Sequence, residues 1–322
     1  MSAKKVLFID HTHPVLPERL TRLGFSCEMA TQASMPELLA QIGDYFGVVI
    51  RSRLALDRAF FDAASQLKFV ARDGVGTEHI DLDAAQDKGV LVFTAPEGSR
   101  DTVGEHAIGL LLSLLNHLSR ADAQVRRGEW VREGNRGVEL KGKTVGVLGY
   151  GNMGTAFARK LSGFDARVIT WDRYKKDYGD LWAQEVSQEE LFASTDILSI
   201  HIPYSADNHY YINEDFLQRF HKPIYLINTA RGKVLHTADL VSALQSEKVL
   251  GAALDVIEYE TRSFVSLNPD ELPEPFQYLR ASDRVVLSPH IAGWSFESRR
   301  HQAEVLGTKI AAAFGKDGSF FV

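Results

Sequence analysis

The stretch "TVGVLGYGNMGTAFARKLSG" (144–163) decides how this chain is read. It opens with a short β-branched run, passes through Gly149, Gly151 and Gly154 in a G-x-G-x-x-G spacing, and continues as a helix. Each glycine has its own task in such a strand–turn–helix. Gly149 permits the tight turn, Gly151 lets a pyrophosphate approach the backbone, and Gly154 lets helix and strand pack closely. Asn152 and Met153 open the helix, whose unpaired N–H groups and positive dipole end attract phosphate. In a chain with 25 glycines the spacing alone would mean little; the strand before it and the helix behind it make it a dinucleotide site. The next apolar run, "ARVITWD" (166–172), ends in Asp172. A carboxylate there accepts bonds from the adenosine ribose hydroxyls and repels a 2′-phosphate, so the expected cofactor is NAD, with Arg173 as the one contrary sign.

Four more apolar runs follow: "DILSIHIP" (196–203), "PIYLINTA" (223–230), "LGAALDV" (250–256) and "RVVLSP" (284–289). Most are separated by helical stretches such as "SQEELFAS" (187–194), where Ser187 and Glu190 have the spacing of a capping box. Six strands alternating with helices predict a doubly wound parallel sheet, whose ligands bind beyond the carboxyl ends of the strands. Those ends carry His201 and Pro203, Thr229 and Arg231, Asp255 and Glu260, and His290, on the edge that also holds the glycine turn. Hydride transfer to a carbonyl needs a proton donor, a cation for the substrate's carboxylate and carbonyl, and a group that keeps the donor protonated. His290 suits the donor, Arg231 the bidentate clamp and Glu260 the partner that favours imidazolium. The other strand-end groups, with Ala230 and Gly293, are expected against the cofactor.

Upstream, "VLFID" (6–10), "GVVIRSR" (47–53), "LKFVARDGVG" (67–76) and "VLVFTAP" (90–96) alternate with amphipathic stretches and predict a second, smaller parallel α/β unit. A long helix over 101–130, with Asp101 as N-cap and Gly128 as its stop, separates the two. The tail 296–315 has helical periodicity and no strand left beside it, so it is expected to return to the first unit. The predicted domains are 1–99 with 291–322, and an inserted nucleotide-binding domain of 100–290. A chain of 322 residues, 45% hydrophobic and 24% charged, is ordinary globular protein, and a net charge of -6 speaks against nucleic acid as a partner. The start, "MSAKKVLFIDHTHP", lacks the form of a signal peptide, and "AIGLLLSLL" (107–115) is too short to span a bilayer; the single Cys27 fits a reducing compartment. The expectation is a cytoplasmic protein without a membrane partner. His11 and His13 find no third ligand at metal-site spacing, and no metal is expected.

Several motifs together resemble the D-isomer-specific 2-hydroxyacid dehydrogenases: "GKTVGVLGYGNMG" (142–154), "NTARG" (228–232), "LDVIEYE" (254–260), "SPHIAG" (288–293), and upstream "VVIRSR", "KFVARDGVGTEHID" and "WVREGNRGVELKGKTVG". The resemblance, to phosphoglycerate dehydrogenase and hydroxypyruvate reductase types without a regulatory domain, spans nearly the whole chain. It implies a catalytic Arg231, Glu260 and His290, and a Rossmann domain inserted into a flavodoxin-like substrate domain. It also implies a homodimer built on the nucleotide-binding domain and a small 2-keto or 2-hydroxy acid as substrate. The backbone at Gly74 and Val75 would hold the substrate carboxylate, with Arg51 and Ser52 near its far end. The chain departs from the family at Asp73, where a small neutral residue is usual, and at His79, often asparagine. It departs again in the long segment after Glu260 and at Trp294. Formate-type members pair the histidine with glutamine, which Glu260 opposes. Dinucleotide-sensing corepressors of the family retain the triad and stand as the rival reading.

Overall fold

In the computed structural model, which describes residues 4–260 and 271–315, the apolar runs become two parallel sheets. The first holds β1 (Lys4–Phe8), β2 (Phe25–Met29), β3 (Gly47–Ile50), β4 (Phe69–Arg72) and β5 (Leu91–Phe93) in the order β2-β1-β3-β4-β5. That is the flavodoxin-like arrangement. The second holds β6 (Thr144–Leu148), β7 (Arg167–Trp171), β8 (Gln184–Glu185), β9 (Ile197–Ile200), β10 (Ile224–Asn228), β11 (Val249–Leu254) and β12 (Val285–Leu287). Its order, β12-β11-β10-β9-β6-β7-β8, reverses between β6 and β9, the switch point of a doubly wound sheet. Strands such as "GVVI" and "ILSI" are buried throughout, as sheets covered on both faces require.

The chain divides into two units, Met1–Ser99 with Trp294–Val322, and Arg100–Gly293. In the first, Ala303, Leu306 and Ile310 of the helix Phe296–Phe314 join Val6, Phe8, Leu16 and Phe69 in one buried cluster. In the second, one cluster runs from Leu148 to Leu279 and another gathers Leu111, Val147 and Phe157 on the opposite face of the sheet. The later division falls after Gly293 rather than at 290. The reason is local: the backbone N–H of His290 donates to the Asp255 carbonyl, and those of Ile291 and Ala292 to its carboxylate, tying these residues to β11.

Three sequence expectations need correction. The helix placed over 101–130 is two helices, Pro96–Leu115 and Leu118–Arg126, broken where His117 takes a left-handed φ of 52°. Asp101 is thus inside a helix that opens at Pro96, whose fixed φ suits a first turn. A seventh strand, β8, was not expected; two residues are too few to carry a pattern. Ser187 does cap its helix, accepting from Glu190 N at 3.1 Å, but the Glu190 carboxylate turns to Ser194 (2.7 Å) and Arg167 (3.4 Å). Of the long segment after Glu260, residues 261–270 lie outside the described residues, as do 316–322 of the tail.

Candidate active site

The glycine turn follows from what a side chain would meet. Gly149 has φ +90°, which a Cβ resists, and a Cβ on Gly154 would stand 2.2 Å from the Gly149 carbonyl oxygen. Both are therefore required by the protein's own packing. A Cβ on Gly151 would meet nothing within 4 Å. That open space, at the N-cap of the helix Asn152–Lys160, is the cradle a pyrophosphate needs, so the residues present fit a dinucleotide. Asn152 is exposed and Met153 half-buried at the same helix start.

Asp172 follows β7 beside this turn. Its Oδ2 accepts from Tyr150 N at 2.9 Å, inside the glycine loop, and its Oδ1 from Tyr174 N (3.0 Å) and Lys175 N (3.2 Å). The carboxylate thus shapes the loop. His201 departs from expectation. It shares a face of the strand with buried Ser199, whose Oγ lies 2.8 Å from its Nε2; its ring packs on Phe157 at 5.3 Å, and burial pushes its pKa down to about 3. The imidazole is therefore a neutral group packed between Ser199 and Phe157, and Pro203 is exposed.

At the end of β10, Asn228 fixes the turn that presents Thr229, Ala230 and Arg231. Its Oδ1 accepts from Ala230 N (3.0 Å) and its Nδ2 donates to the Arg231 carbonyl (3.1 Å). The Arg231 Nη1 donates to the Ala230 carbonyl at 2.7 Å, which holds the guanidinium close to its own turn. Gly232 was not singled out on its own in the sequence. A Cβ there would stand 1.9 Å from the Ile257 carbonyl oxygen. The Arg231 turn is thus pressed against the turn that carries Glu260, and only glycine allows it.

Glu260 and His290 form the centre. His290 Nδ1 lies 2.6 Å from Glu260 Oε2, while Glu260 Oε1 accepts from Ile257 N at 2.5 Å. The carboxylate is held at one end by its own turn and holds the imidazole with the other. His290 itself has a φ of 55°, a left-handed backbone unusual for a histidine. What holds it there is Asp255, buried to 1% exposure. Asp255 Oδ1 accepts from Ser288 Oγ (2.6 Å) and Ile291 N (2.9 Å), and Oδ2 from Ala292 N (2.8 Å); His106 Nε2 stands 3.4 Å from Oδ1 and 3.0 Å from Ser288 Oγ. Burial pushes the Asp255 carboxyl up, but the hydrogen bonds from His106, Ser288, Ala292 and Ile291 outweigh it and hold it below its ordinary value. Asp255, expected against the cofactor, is thus the anchor of the histidine loop. Ser288 and His106 belong to that anchor; Ser288 opens the motif "SPHIAG" without a role of its own there, and no local pattern in the sequence announced His106. Gly293 ends this loop, half-buried.

In the other unit, Asp10 at the end of β1 accepts from Arg51 N (2.6 Å) and Arg53 N (3.4 Å), fixing the loop that carries Arg51 and Ser52. Gly74, with φ +148°, follows β4, and a Cβ there would overlap the Arg72 guanidinium, which donates to the Asp73 carbonyl at 2.9 Å. Val75 beside it is half-buried. No cluster of three or more metal-ligating side chains occurs among the described residues.

Comparison with known proteins places the chain in a family. The family description "D-isomer specific 2-hydroxyacid dehydrogenase, NAD binding domain" matches residues 108–292. A glyoxylate reductase of Thermofilum pendens is 36% identical over 317 residues, 92% of this chain and 89% of its own length. The chain belongs to the D-isomer-specific 2-hydroxyacid dehydrogenases, a family of NAD-dependent oxidoreductases. A D-3-phosphoglycerate dehydrogenase of Archaeoglobus fulgidus is 30% identical over 95% of this chain, which spans only 56% of that relative. Among solved structures, an NADPH-dependent glyoxylate/hydroxypyruvate reductase of Sinorhizobium meliloti, in complex with NADP and malonate, superposes with a TM-score of 0.79 at 30% identity, covering 97% of this chain and 94% of that one. This member of the dehydrogenases thus has relatives named for phosphorylated and for unphosphorylated acids, and a structural neighbour named as NADPH-dependent.

Proposed function

We propose that this protein catalyses the NAD-dependent interconversion of a small D-2-hydroxy acid and its 2-keto acid, with His290 as the acid/base, Glu260 as its partner and Arg231 binding the substrate's carboxylate and carbonyl. The 2.6 Å bond between His290 Nδ1 and Glu260 Oε2 carries the reading. A nicotinamide held at the glycine turn would supply or take the hydride at C2. With Nδ1 committed to Glu260, His290 exchanges its proton through Nε2, giving it to the oxygen that forms on reduction and taking it back on oxidation. Glu260 stabilises the imidazolium by its charge. Arg231 offers a planar pair of donors to the carboxylate and carbonyl, polarising the bond that is reduced. Gly74 and Val75 hold the substrate carboxylate through their backbone, and Arg51 and Ser52 meet its far end.

Asp172 favours NADH over NADPH in this reading. The dimer rests on the stretch Leu118–Val131 of the nucleotide-binding unit, where Leu118, Val125, Val131 and, at 80% exposure, Trp130 stand in solvent on the single chain. A cytoplasmic location belongs to the same reading. The test is NADH oxidation over a panel of glyoxylate, hydroxypyruvate, pyruvate and 3-phosphohydroxypyruvate, with light scattering for the dimer. Tight dinucleotide binding with no turnover of any acid would favour the dinucleotide-sensing role instead.

A further inference from the structure

The unit that carries Arg51 holds a group for which neither the fold nor the reaction above has a use. Asp73 follows β4 at 1% exposure. Its Oδ2 lies 3.9 Å from Arg51 Nε, too far for a hydrogen bond, and its Oδ1 has no hydrogen-bond partner among the described residues; neither has Arg51 Nε. Two further cations stand around it: Arg72, which ends β4, and Arg299. The guanidinium of Arg51 lies 4.4 Å from the Trp294 ring centroid and that of Arg299 5.3 Å, so the indole, itself half in solvent, holds both. Burial pushes the Asp73 carboxyl up, and the charges of Arg51, Arg299 and Arg72 pull it back in part. A buried carboxylate without hydrogen bonds does not stabilise a fold, and such a group calls for another explanation. Asp10, by contrast, is fully used by the backbone and by Arg53.

We propose that Asp73 determines specificity: its buried carboxylate beside Arg51 offsets the cationic end of the substrate site, so that the enzyme takes 2-keto acids with an uncharged distal group and discriminates against those with a distal phosphate. The inference rests on the reading that Arg51 meets the substrate's far end. A phosphate brought to Arg51 meets the like charge of Asp73 a few ångströms behind it; a hydroxyl or hydrogen pays no such penalty. Relatives of this chain are named both for phosphoglycerate and for glyoxylate or hydroxypyruvate.

The experiment compares kcat/KM for hydroxypyruvate and 3-phosphohydroxypyruvate with NADH, in the wild type and in Asp73→Asn, with a melting curve for each. The wild type is expected to favour hydroxypyruvate. Asp73→Asn is expected to move the ratio toward the phosphorylated acid by roughly tenfold or more, chiefly through KM, since a full charge is removed at close range. A structural role alone would lower both values together and leave the ratio still. An unmoved ratio, or a wild type that prefers the phosphorylated acid, overturns the proposal; the second result decides even if Asp73→Asn does not fold. If neither acid is turned over, the functional reading fails separately. Calorimetry with 3-phosphoglycerate then decides for Asp73: tighter binding to Asp73→Asn supports it, and equal binding overturns it.

Discussion

Replacing Asp255 by asparagine tests the anchor of the catalytic loop at constant size. The carboxylate takes Ser288 Oγ and Ile291 N on one oxygen and Ala292 N on the other, at 2.6–2.9 Å, with His106 Nε2 at 3.4 Å. An asparagine keeps one acceptor oxygen and turns an NH₂ toward at least one of these donors. If the NH₂ faces Ala292 N, that buried donor is left unsatisfied, at about 1–3 kcal/mol, and the surviving bonds lose their charge-assisted part, about 2–3 kcal/mol more. The sum, about 3–6 kcal/mol, equals or exceeds the roughly 1–3 kcal/mol by which a histidine resists a left-handed backbone. His290, at φ 55°, is then free to relax away from Glu260.

Two measurements follow. In urea melts at neutral pH, Asp255→Asn is expected to lose several kcal/mol, and kcat to fall by roughly 10²-fold or more, the scale of losing a general acid. The pH dependence has a definite sign. Asp255 is held below its ordinary value in the fold, so the stability it confers is fully present above the unfolded carboxyl value, about 3.9. It is lost as pH falls through the lower folded value. The gap between wild type and variant therefore narrows below about pH 4. A variant with unchanged melting and with kcat within twofold of wild type would refute the anchoring argument.

The other predictions separate packing from ligand binding. Gly151→Ala meets no protein atom within 4 Å, so melting is expected to stay unchanged while KM for NADH rises; Gly154→Ala, 2.2 Å from a carbonyl oxygen, is expected to melt early, and equal behaviour of the two would contradict the cradle. Gly232→Ala, at 1.9 Å from the Ile257 carbonyl oxygen, is expected to lose activity together with stability, as read by kcat and melting temperature. His290→Ala is expected to lose roughly 10²-fold or more in kcat. Glu260→Gln, which keeps the shape and removes the negative charge beside the imidazole, is expected to lower kcat in both directions; an unchanged kcat would count against the pair. Asp172→Ala is expected to narrow the preference for NADH over NADPH in steady-state kinetics and to lower stability, because three backbone N–H groups lose their acceptor.

The sequence is most legible where the backbone itself makes the demand. The glycine turn could be read because three positions must lack a Cβ or present open space, a constraint that survives any change of neighbours. The two sheets could be read because strands covered on both faces must be continuously apolar, as in "GVVI" and "ILSI". What resisted reading depends on where a side chain turns. His201 and Asp255 both stand at strand ends, and strand-end polarity alone assigns both to the ligand. In the fold one imidazole packs on Phe157 and the other group is the hub of a loop, because the first shares a strand face with Ser199 and the second is met by N–H groups from residues 291 and 292. The break at His117 was hidden for a related reason: helical periodicity continues on both sides of a single left-handed residue.

Glu260 and His290 were legible as a pair only through their chemistry, since they lie on different turns and no spacing links them. Their 2.6 Å contact depends on residues that lie inside the motifs "NTARG" and "SPHIAG" but carry no chemistry of their own. Gly232 lets the Arg231 turn approach the Glu260 turn, and Ser288, Ile291 and Ala292 give Asp255 the means to hold His290 in a backbone it resists. A histidine free to choose its backbone would leave the left-handed region, so its position after Pro289 is a consequence of Asp255 and not of the strand before it. Activity is therefore expected to be as sensitive to the buried anchor as to the acid it presents.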